Sequence, residues 1–332
     1  NYQATVFLNG QFVGEHVGGF TPFNFEITDL LRERDNHLIV RVDNKRLREG
    51  VPTLNTDWWN YGGITRSVRL VTVPDTFIHS YHVQLAPGSL DRIEGWVQLD
   101  GQNRQNQTLR MAIREAEIEV SMTTDSEGRA EFVIDATLSH WSPSDPKRYR
   151  VTLSTPTDHI EEEIGFRSIA TRGTEILLNG EPIFLRGISL HEEAPWRVGR
   201  AHSREDAIRL LDWVEELGAN FVRLAHYPHN AFMIDEAERR GLLVWSEIPV
   251  YWTIQWESQE TWDNAANQLR EMIERDRNRA AVILWSVGNE TPVIDERLDF
   301  MRRLVELARQ LDPTRLITAA MERHYIDEQT LM

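Results

Sequence analysis

The most informative stretch of the sequence is Ile283-Leu284-Trp285-Ser286-Val287-Gly288-Asn289-Glu290. It is an apolar run that ends in an amide and a carboxylate. Such a short run, set between two long helical patterns, predicts a strand buried in a parallel sheet. Ligands bind where the carboxyl ends of such strands meet. The run therefore predicts both a βα fold and the position of its functional face.

Strands and helical patterns alternate from about residue 176 onward, which is typical of βα units around a parallel sheet. The first predicted helix, from Ser203 to Leu217, has Ser203 as its N-cap and is followed by Gly218. An open doubly wound sheet is the alternative, but no Gly-rich phosphate loop follows the first strand. Four βα units and a fifth strand make about half of an eightfold barrel. The predicted strands are Ile183–Ile188, Phe221–Leu224, Leu242–Trp245, Ala281–Val287 and Leu316–Ala320.

Short strands with period-two alternation fill the chain before residue 168. The Asn9-Gly10 turn between two apolar runs predicts a β-hairpin, and the alternation of Phe23, Phe25 and Ile27 predicts a further half-buried strand. The pattern continues from about residue 75 to residue 167. Two antiparallel β-sandwiches are therefore expected ahead of the barrel.

Composition limits the classes of partner. The chain has 332 residues, 41% hydrophobic, with a formal net charge of −16 and no cysteine. The negative charge disfavours nucleic acid and anionic membrane surfaces as partners, and disulfides are excluded. The chain opens at Asn1 without an initiator Met, so we expect part of the N-terminus to be missing, and the compartment stays undetermined.

Polar side chains follow each of the first four predicted barrel strands. Any one of them is more often a solvated loop residue than a functional group, but four successive strand ends make coincidence a weak explanation. Tryptophans also follow these strands, at Trp196, Trp252 and Trp256, and aromatic faces suit the CH faces of sugars. The polar groups are His191, Glu192 and Glu193; Arg223, His226 and Tyr227; Glu247, Tyr251 and Trp252; and Asn289 and Glu290.

The pair at the end of the fourth strand fits glycoside hydrolysis. That reaction needs a carboxylic acid to protonate the leaving oxygen, and retaining enzymes need a second carboxylate as nucleophile. Glu290 can be the acid. The Asn289 amide beside it can hydrogen-bond the sugar 2-hydroxyl in the transition state.

Several segments together resemble glycoside hydrolase family 2. They occur in the order of that family and span nearly the whole chain. The resemblance implies a jelly-roll β-sandwich part at 1–74, an immunoglobulin-like β-sandwich at 75–167 and the N-terminal part of a catalytic TIM barrel at 168–332. The segments are His16 to Phe23, Asp57 to Arg66, Asn179 to Pro182, Arg223 to Pro228, Trp285 to Glu290 and Asp312 to Arg315.

The same resemblance implies roles for single residues. Glu290 corresponds to the general acid/base, with Asn289 as its sugar-binding neighbour, and Asp57 and His191 match positions lining the sugar subsite. Arg223 and His226 match a polar pair beside that subsite. We also assign Trp252 to substrate binding. The family's nucleophile is a Glu after the seventh strand, and no residue of this chain takes that role.

No cofactor and no metal are predicted. Metal-dependent β-galactosidases of the family carry Glu-x-His after the third strand, whereas this chain has Glu247-Ile248-Pro249. Oxygen-ligand clusters are also not evident elsewhere in the sequence.

The predicted function is a retaining exo-β-glycosidase that resembles the β-glucuronidases, with a β-galactosidase of the same family as the alternative. One rival is a non-catalytic carbohydrate-binding protein, since one catalytic carboxylate is missing. Another is an unrelated barrel enzyme that uses a Schiff-base lysine, but Lys45 and Lys147, the only lysines, lie outside the barrel. The predicted partner is a carbohydrate substrate, and a homo-oligomer is left open.

Overall fold

The N-terminal part, which we call the first sandwich after the predicted domain, has one three-stranded antiparallel sheet among the described residues. In the computed structural model, which describes residues 2–322, the strands are β1 (Gln3–Leu8), β2 (Gln11–Val17) and β3 (Leu38–Asp43), in the order β2-β1-β3. Asn9 and Gly10 join β1 to β2 with φ angles of 53° and 82°, the left-handed pair that a type I′ turn requires. The predicted hairpin is confirmed.

The predicted strand at Phe23–Ile27 is wrong, because this segment pairs with no other strand within residues 2–322. Its aromatic side chains pack on the β1–β2 hairpin instead. The Phe23 ring stacks on His16 at 4.5 Å, and the Phe25 ring lies over Gly14, where a side chain would collide with it. The alternation therefore reflects aromatic packing rather than a hydrogen-bonded ladder.

The next seven strands form an immunoglobulin-like β-sandwich. One sheet has the order β4-β5-β8 and the other has the order β10-β9-β6-β7, both antiparallel. A core of apolar side chains, Val97 and Leu109 among them, is fully buried between the sheets. The strands are β4 (Thr76–Leu85), β5 (Arg92–Gly101), β6 (Thr108–Ile113), β7 (Ile118–Thr123), β8 (Arg129–Asp135), β9 (Tyr149–Ser154) and β10 (His159–Ile164).

A small antiparallel sheet follows, and it corrects the first predicted barrel strand. It consists of β11 (Ile169–Arg172), β12 (Glu175–Leu178) and β13 (Glu181–Ile183). Asn179 and Gly180 turn the chain with φ angles of 53° and 84°. Ile183 therefore belongs to a hairpin, and the first barrel strand begins later, at Gly187.

The C-terminal part is a five-stranded parallel sheet with helices between its strands. Its order, β14-β15-β16-β17-β18, follows the chain, as in a barrel, whereas a doubly wound sheet reverses direction at a switch point. The partial TIM barrel is confirmed. Its elements are β14 (Gly187–Leu190), α1 (Arg204–Glu216), β15 (Phe221–Leu224), α2 (Ala231–Arg240), β16 (Leu243–Glu247), α3 (Gln259–Asp276), β17 (Val282–Asn289), α4 (Asp295–Leu311) and β18 (Leu316–Ala320).

Local signals set the helix ends. Ser203 caps α1 by accepting the Asp206 backbone N–H at 3.1 Å, and the Asp206 carboxylate accepts the Ser203 N–H in return. Asn230 caps α2 by accepting the Phe232 N–H at 3.0 Å, and Gly241 ends that helix at φ 78°. None of the helices within residues 2–322 is long and apolar enough to span a bilayer.

Both sandwiches contact the barrel directly. Gln268 of α3 donates to the Val51 carbonyl at 2.6 Å, and Asn264 accepts the Val51 N–H at 3.1 Å. From the second sandwich, Trp141 donates to the Glu238 carbonyl at 3.0 Å, while the buried Arg167 guanidinium donates to three barrel carbonyls. The first two contacts hold the first sandwich against α3, and the others hold the second sandwich against the barrel. Asn1 and residues 323–332 of the predicted domains lie outside the described residues.

Candidate active site

A buried carboxylate, Glu247, organises the centre of the face where β14 to β17 end. Its oxygens accept hydrogen bonds from Arg223 Nη2 at 2.7 Å and from Ser286 Oγ at 2.8 Å, and His226 Nδ1 lies 2.9 Å away. Trp245 Nε1 donates at 2.9 Å. Burial opposes ionisation, yet the hydrogen bond from His226 and the charge of Arg223 keep the pKa of Glu247 below its usual range. Glu247 is therefore an anchor for its neighbours rather than an exposed acid.

The proton on His226 follows from this geometry. An ionised carboxylate only accepts, so Nδ1 must carry the hydrogen that it shares with Glu247. Arg223 Nη2 also lies 3.1 Å from Nδ1, but two donors do not bond, and this Nη2 has better acceptors in Glu247 and Asn289. When the ring is neutral, Nε2 is left with a free lone pair.

Asn289 ends β17 with one half of its amide engaged. Its Oδ1 accepts from Arg223 Nη2 at 2.6 Å, which fixes the amide orientation. Its Nδ2 is buried and has no hydrogen-bond partner among the described residues. A buried donor without a partner costs free energy, about 1–3 kcal/mol, so this amide is poised to donate to a ligand.

Glu290 is exposed at the end of the same strand and contacts Trp252. Trp252 Nε1 donates to Glu290 Oε2 at 2.9 Å. Both residues have left-handed backbone, with φ angles of 52° and 49°, which is uncommon for non-glycine residues and concentrates at functional sites. The Trp252 N–H also donates to the Asn289 carbonyl at 3.0 Å. The loop after β16 thus holds the Glu290 carboxylate directly.

Asp57, His191 and His226 meet at the boundary between the first sandwich and the barrel. Each offers one ligand atom, and these atoms lie within 4.8 Å of one another. Burial, and then the charge of His226, lower the pKa of His191. Burial, and then the hydrogen bond and charge of Asp57, raise the pKa of the Tyr251 phenol. The loop residue Asp57 therefore lies next to the barrel face.

An aromatic group that the sequence analysis did not assign lies beneath this cluster. The Trp58 ring packs on Tyr227, Tyr251 and His226 at centroid distances of 5.2, 4.9 and 5.8 Å. Phe20 stacks on Tyr227 at 4.2 Å. Trp58, next to Asp57, is buried, which explains how the sandwich loop is seated.

A buried ion pair joins the same loop region to the barrel. Arg66 Nη1 lies 2.5 Å from Glu192 Oε2, and the Glu192 side chain is fully buried. Arg200 Nη1 lies 3.4 Å from the same oxygen, and Glu192 Oε1 accepts the Asn230 N–H. Burial opposes ionisation of Glu192, but the Arg66 charge lowers its pKa overall. We call the Arg66–Glu192 pair the interdomain clamp.

Of the three loop tryptophans, Trp252 alone contacts the predicted acid. Trp196 packs on Trp213 of α1 at 5.7 Å, and Trp256 packs on Phe300 of α4 at 5.4 Å. The predicted residues Asp57, His191, Arg223, His226, Asn289, Glu290 and Trp252 all lie on one face, and their roles stay predictions.

Glu247 does not fit the position of a magnesium ligand. Its oxygens are engaged by four donors, and the carboxylate is fully buried. One group within residues 2–322 has a geometry that can hold a metal ion, namely Asp57, His191 and His226. The sequence analysis did not recognise it as a ligand set.

Three family models match the chain in succession. They are the sugar binding domain of glycosyl hydrolases family 2 at residues 1–74, a second domain of that family at 76–167 and its TIM barrel domain at 169–331. The chain belongs to glycoside hydrolase family 2. As in that family, the sandwiches precede the barrel.

Members of glycoside hydrolase family 2 with two activities are similar to this chain. A β-galactosidase of Thermoanaerobacter pseudethanolicus is 33% identical over 94% of this chain and 44% of its own length. A putative β-glucuronidase of Formosa agariphila is 29% identical over 98% of this chain and 42% of its own length. The solved FMN-binding β-glucuronidase from Facaelibacterium prausnitzii is 28% identical with a TM-score of 0.85, covering 96% of this chain and 52% of that one. The chain spans about half the length of the curated relatives it matches.

Proposed function

We propose that the full-length protein is a retaining exo-β-glycosidase that hydrolyses terminal β-linked sugars by double displacement. The observation that carries the proposal is the pair at the end of β17. Glu290 is exposed and hydrogen-bonded to Trp252, while Asn289 presents a buried amide donor that has no partner among the described residues. One side chain can give a proton, and the other can bind the hydroxyl beside the reacting carbon.

In this mechanism Glu290 protonates the glycosidic oxygen as the aglycone leaves, and later takes a proton from the attacking water. Asn289 Nδ2 donates to the sugar 2-hydroxyl, a contact that strengthens as positive charge develops on the ring. Asp57, His191 and His226 hold the other ring hydroxyls. The nucleophile comes from the part of the protein beyond the described barrel strands.

The test is Glu290→Gln in the full-length protein, assayed on aryl β-glycosides of graded leaving-group pKa. Loss of general acid catalysis should reduce the rate by about 10² to 10⁴ on poor leaving groups and far less on very good ones, which need no protonation. Glu257→Gln, at an exposed glutamate in the loop before α3, is the matched control and should behave as wild type. Equal loss on all substrates, or no loss, would contradict the assignment.

Within this class we propose β-glucuronides as the preferred substrates. The segment from Asn60 to Val68 and the Gly-Gly-Phe-Thr-Pro-Phe segment at 18–23 look more like the β-glucuronidase branch, and the Glu-x-His of the metal-dependent β-galactosidases is absent at Glu247. Glucuronidases and galactosidases both occur among the relatives. A kcat/KM at least tenfold higher on aryl β-galactoside than on aryl β-glucuronide, about 1.4 kcal/mol in transition-state binding, would favour the galactosidase instead.

A further inference from the structure

Two histidines and a carboxylate converge beside the predicted acid. The ligand atoms of Asp57, His191 and His226 lie within 4.8 Å of one another. Zn²⁺ binds imidazole nitrogen and carboxylate oxygen at about 2.0–2.2 Å, which in tetrahedral geometry places ligand atoms roughly 3.3–3.5 Å apart. A bound ion would therefore draw these atoms together by up to about 1.5 Å. Asp57, which is exposed, has room for that movement.

His226 is already oriented as a metal ligand. Metal-binding histidines usually donate their second ring N–H to a carboxylate, which fixes the tautomer and makes the free nitrogen more basic. Here His226 Nδ1 lies 2.9 Å from Glu247 Oε1, and Glu247 is held in turn by Arg223 and Ser286. The remaining lone pair, on Nε2, is the one available to an ion.

His191 adds a second, independent sign of a missing partner. Its Nδ1 is buried and makes no hydrogen bond with any described residue. Its ring meets that of His226 edge to face, with centroids 5.1 Å apart. Both imidazoles lie next to the Trp58 ring. The centroid of the His191 ring is 6.4 Å from that of Trp58, and the centroid of the His226 ring is 5.8 Å from it.

The surrounding charges permit a cation. The Arg223 guanidinium lies 3.1 Å from His226 Nδ1, but it already bonds Glu247 and Asn289. Asp57 supplies a carboxylate to the cluster itself, and the whole chain carries a formal charge of −16. Mg²⁺ prefers oxygen ligands, whereas Zn²⁺ takes imidazole readily.

We propose that Asp57, His191 and His226 form a Zn²⁺ site with one position open to water, and that Zn²⁺ bound there competes with the sugar for the same side chains. The ion is an inhibitor and not a cofactor in this proposal. Binding itself stands on the geometry alone, whereas the competition rests on the proposed glycosidase function.

The experiment is titration of chelator-treated full-length protein with Zn²⁺ by calorimetry, and with Co²⁺ by visible absorption. We expect one ion per chain, and intense d–d bands that indicate four-coordinate nitrogen and oxygen ligands. Asp57→Asn and His191→Gln should each weaken binding at least tenfold. Asp57→Asn changes an exposed side chain without changing its size, so we expect this variant to fold. His37→Gln, at an exposed histidine outside the site, is the matched control and should bind as wild type.

Steady-state kinetics on an aryl β-glycoside then separate the two parts of the proposal. At Zn²⁺ about ten times its dissociation constant, the apparent KM should rise about elevenfold with kcat unchanged, by simple mass action. Calorimetric binding without any glycosidase activity would refute the proposed function and support the site. Activity without saturable Zn²⁺ binding, or binding unaffected by Asp57→Asn and His191→Gln, would refute the site alone.

Discussion

Replacing Arg66 by Met tests the interdomain clamp. The substitution removes the guanidinium that lies 2.5 Å from Glu192 and leaves that fully buried carboxylate with Arg200 at 3.4 Å and the Asn230 N–H. Breaking a buried ion pair by removing one partner costs about 3–5 kcal/mol. Because Arg200 and Asn230 remain, we expect the lower end, about 3 kcal/mol, in the free energy of unfolding.

The same change should weaken catalysis through Asp57. The clamp ties the Asp57 loop to the residue that follows His191, so its loss should let the carboxylate move away from the proposed sugar subsite. A hydrogen bond to a charged group contributes about 1.5–3 kcal/mol, which predicts a kcat/KM about 10- to 150-fold lower. Urea denaturation followed by tryptophan fluorescence and assays on an aryl β-glycoside measure the two effects in the full-length protein.

His16→Gln is the matched control for this prediction. His16 also joins the first sandwich to the barrel, through Glu271 of α3 at 2.9 Å, but it contacts none of the predicted site residues. It should reduce stability while leaving kcat/KM within about twofold, since a twofold change is only about 0.4 kcal/mol. Wild-type stability and kcat/KM in Arg66→Met would refute the role assigned to the clamp.

Two further predictions concern a buried acid and the amide of β17. Burial raises the pKa of Glu238 from 4.5 to about 7, so between these two pH values the folded state holds a proton that the unfolded state has lost. The free energy of unfolding therefore falls as pH rises from 4.5 to 7. Glu238→Gln should abolish this loss, about 3 kcal/mol by urea denaturation. An identical pH dependence in the variant would contradict this. Asn289→Asp keeps the acceptor for Arg223 but loses the Nδ2 donor, and kcat should fall about 10²-fold on the glycoside and little on its 2-deoxy analogue. Equal losses on both substrates would show that the amide does not serve the 2-hydroxyl.

Local signals in the sequence predicted much of the fold. Ser203 and Gly241 set helix ends through capping, and apolar runs bounded by polar residues located four barrel strands to within two residues at their starts. The predictions for two segments were wrong, because aromatic packing in one and a hairpin turn in the other decided the structure, and neither follows from hydrophobic periodicity. The alternation around Phe23 reflects the packing of its ring on His16. Ile183 lies in a hairpin, which is indicated by an Asn-Gly turn of the same kind as the one at Asn9.

The candidate site also has residues that the sequence predicted and residues that it did not. The rule that function lies at strand ends brought His191, Arg223 and Glu290 together, because parallel strands fix that edge. It gave no sign of Arg66, whose partner is 126 residues away in the chain. It also gave no ligand geometry for Asp57, which reaches the barrel only because Trp58 is buried against Tyr227 and Tyr251.

The clamp also limits how freely these parts can be recombined. A chimaera that takes its first sandwich from one relative and its barrel from another inherits Arg66 and Glu192 from different parents, so a mismatch leaves either a buried carboxylate or a buried guanidinium without its counter-ion. Grafting the two residues together with the Asp57–Trp58 loop transfers a matched set. To preserve the proposed subsite, an exchange of domains must therefore keep the contacts between the first sandwich and the barrel together, rather than either domain by itself.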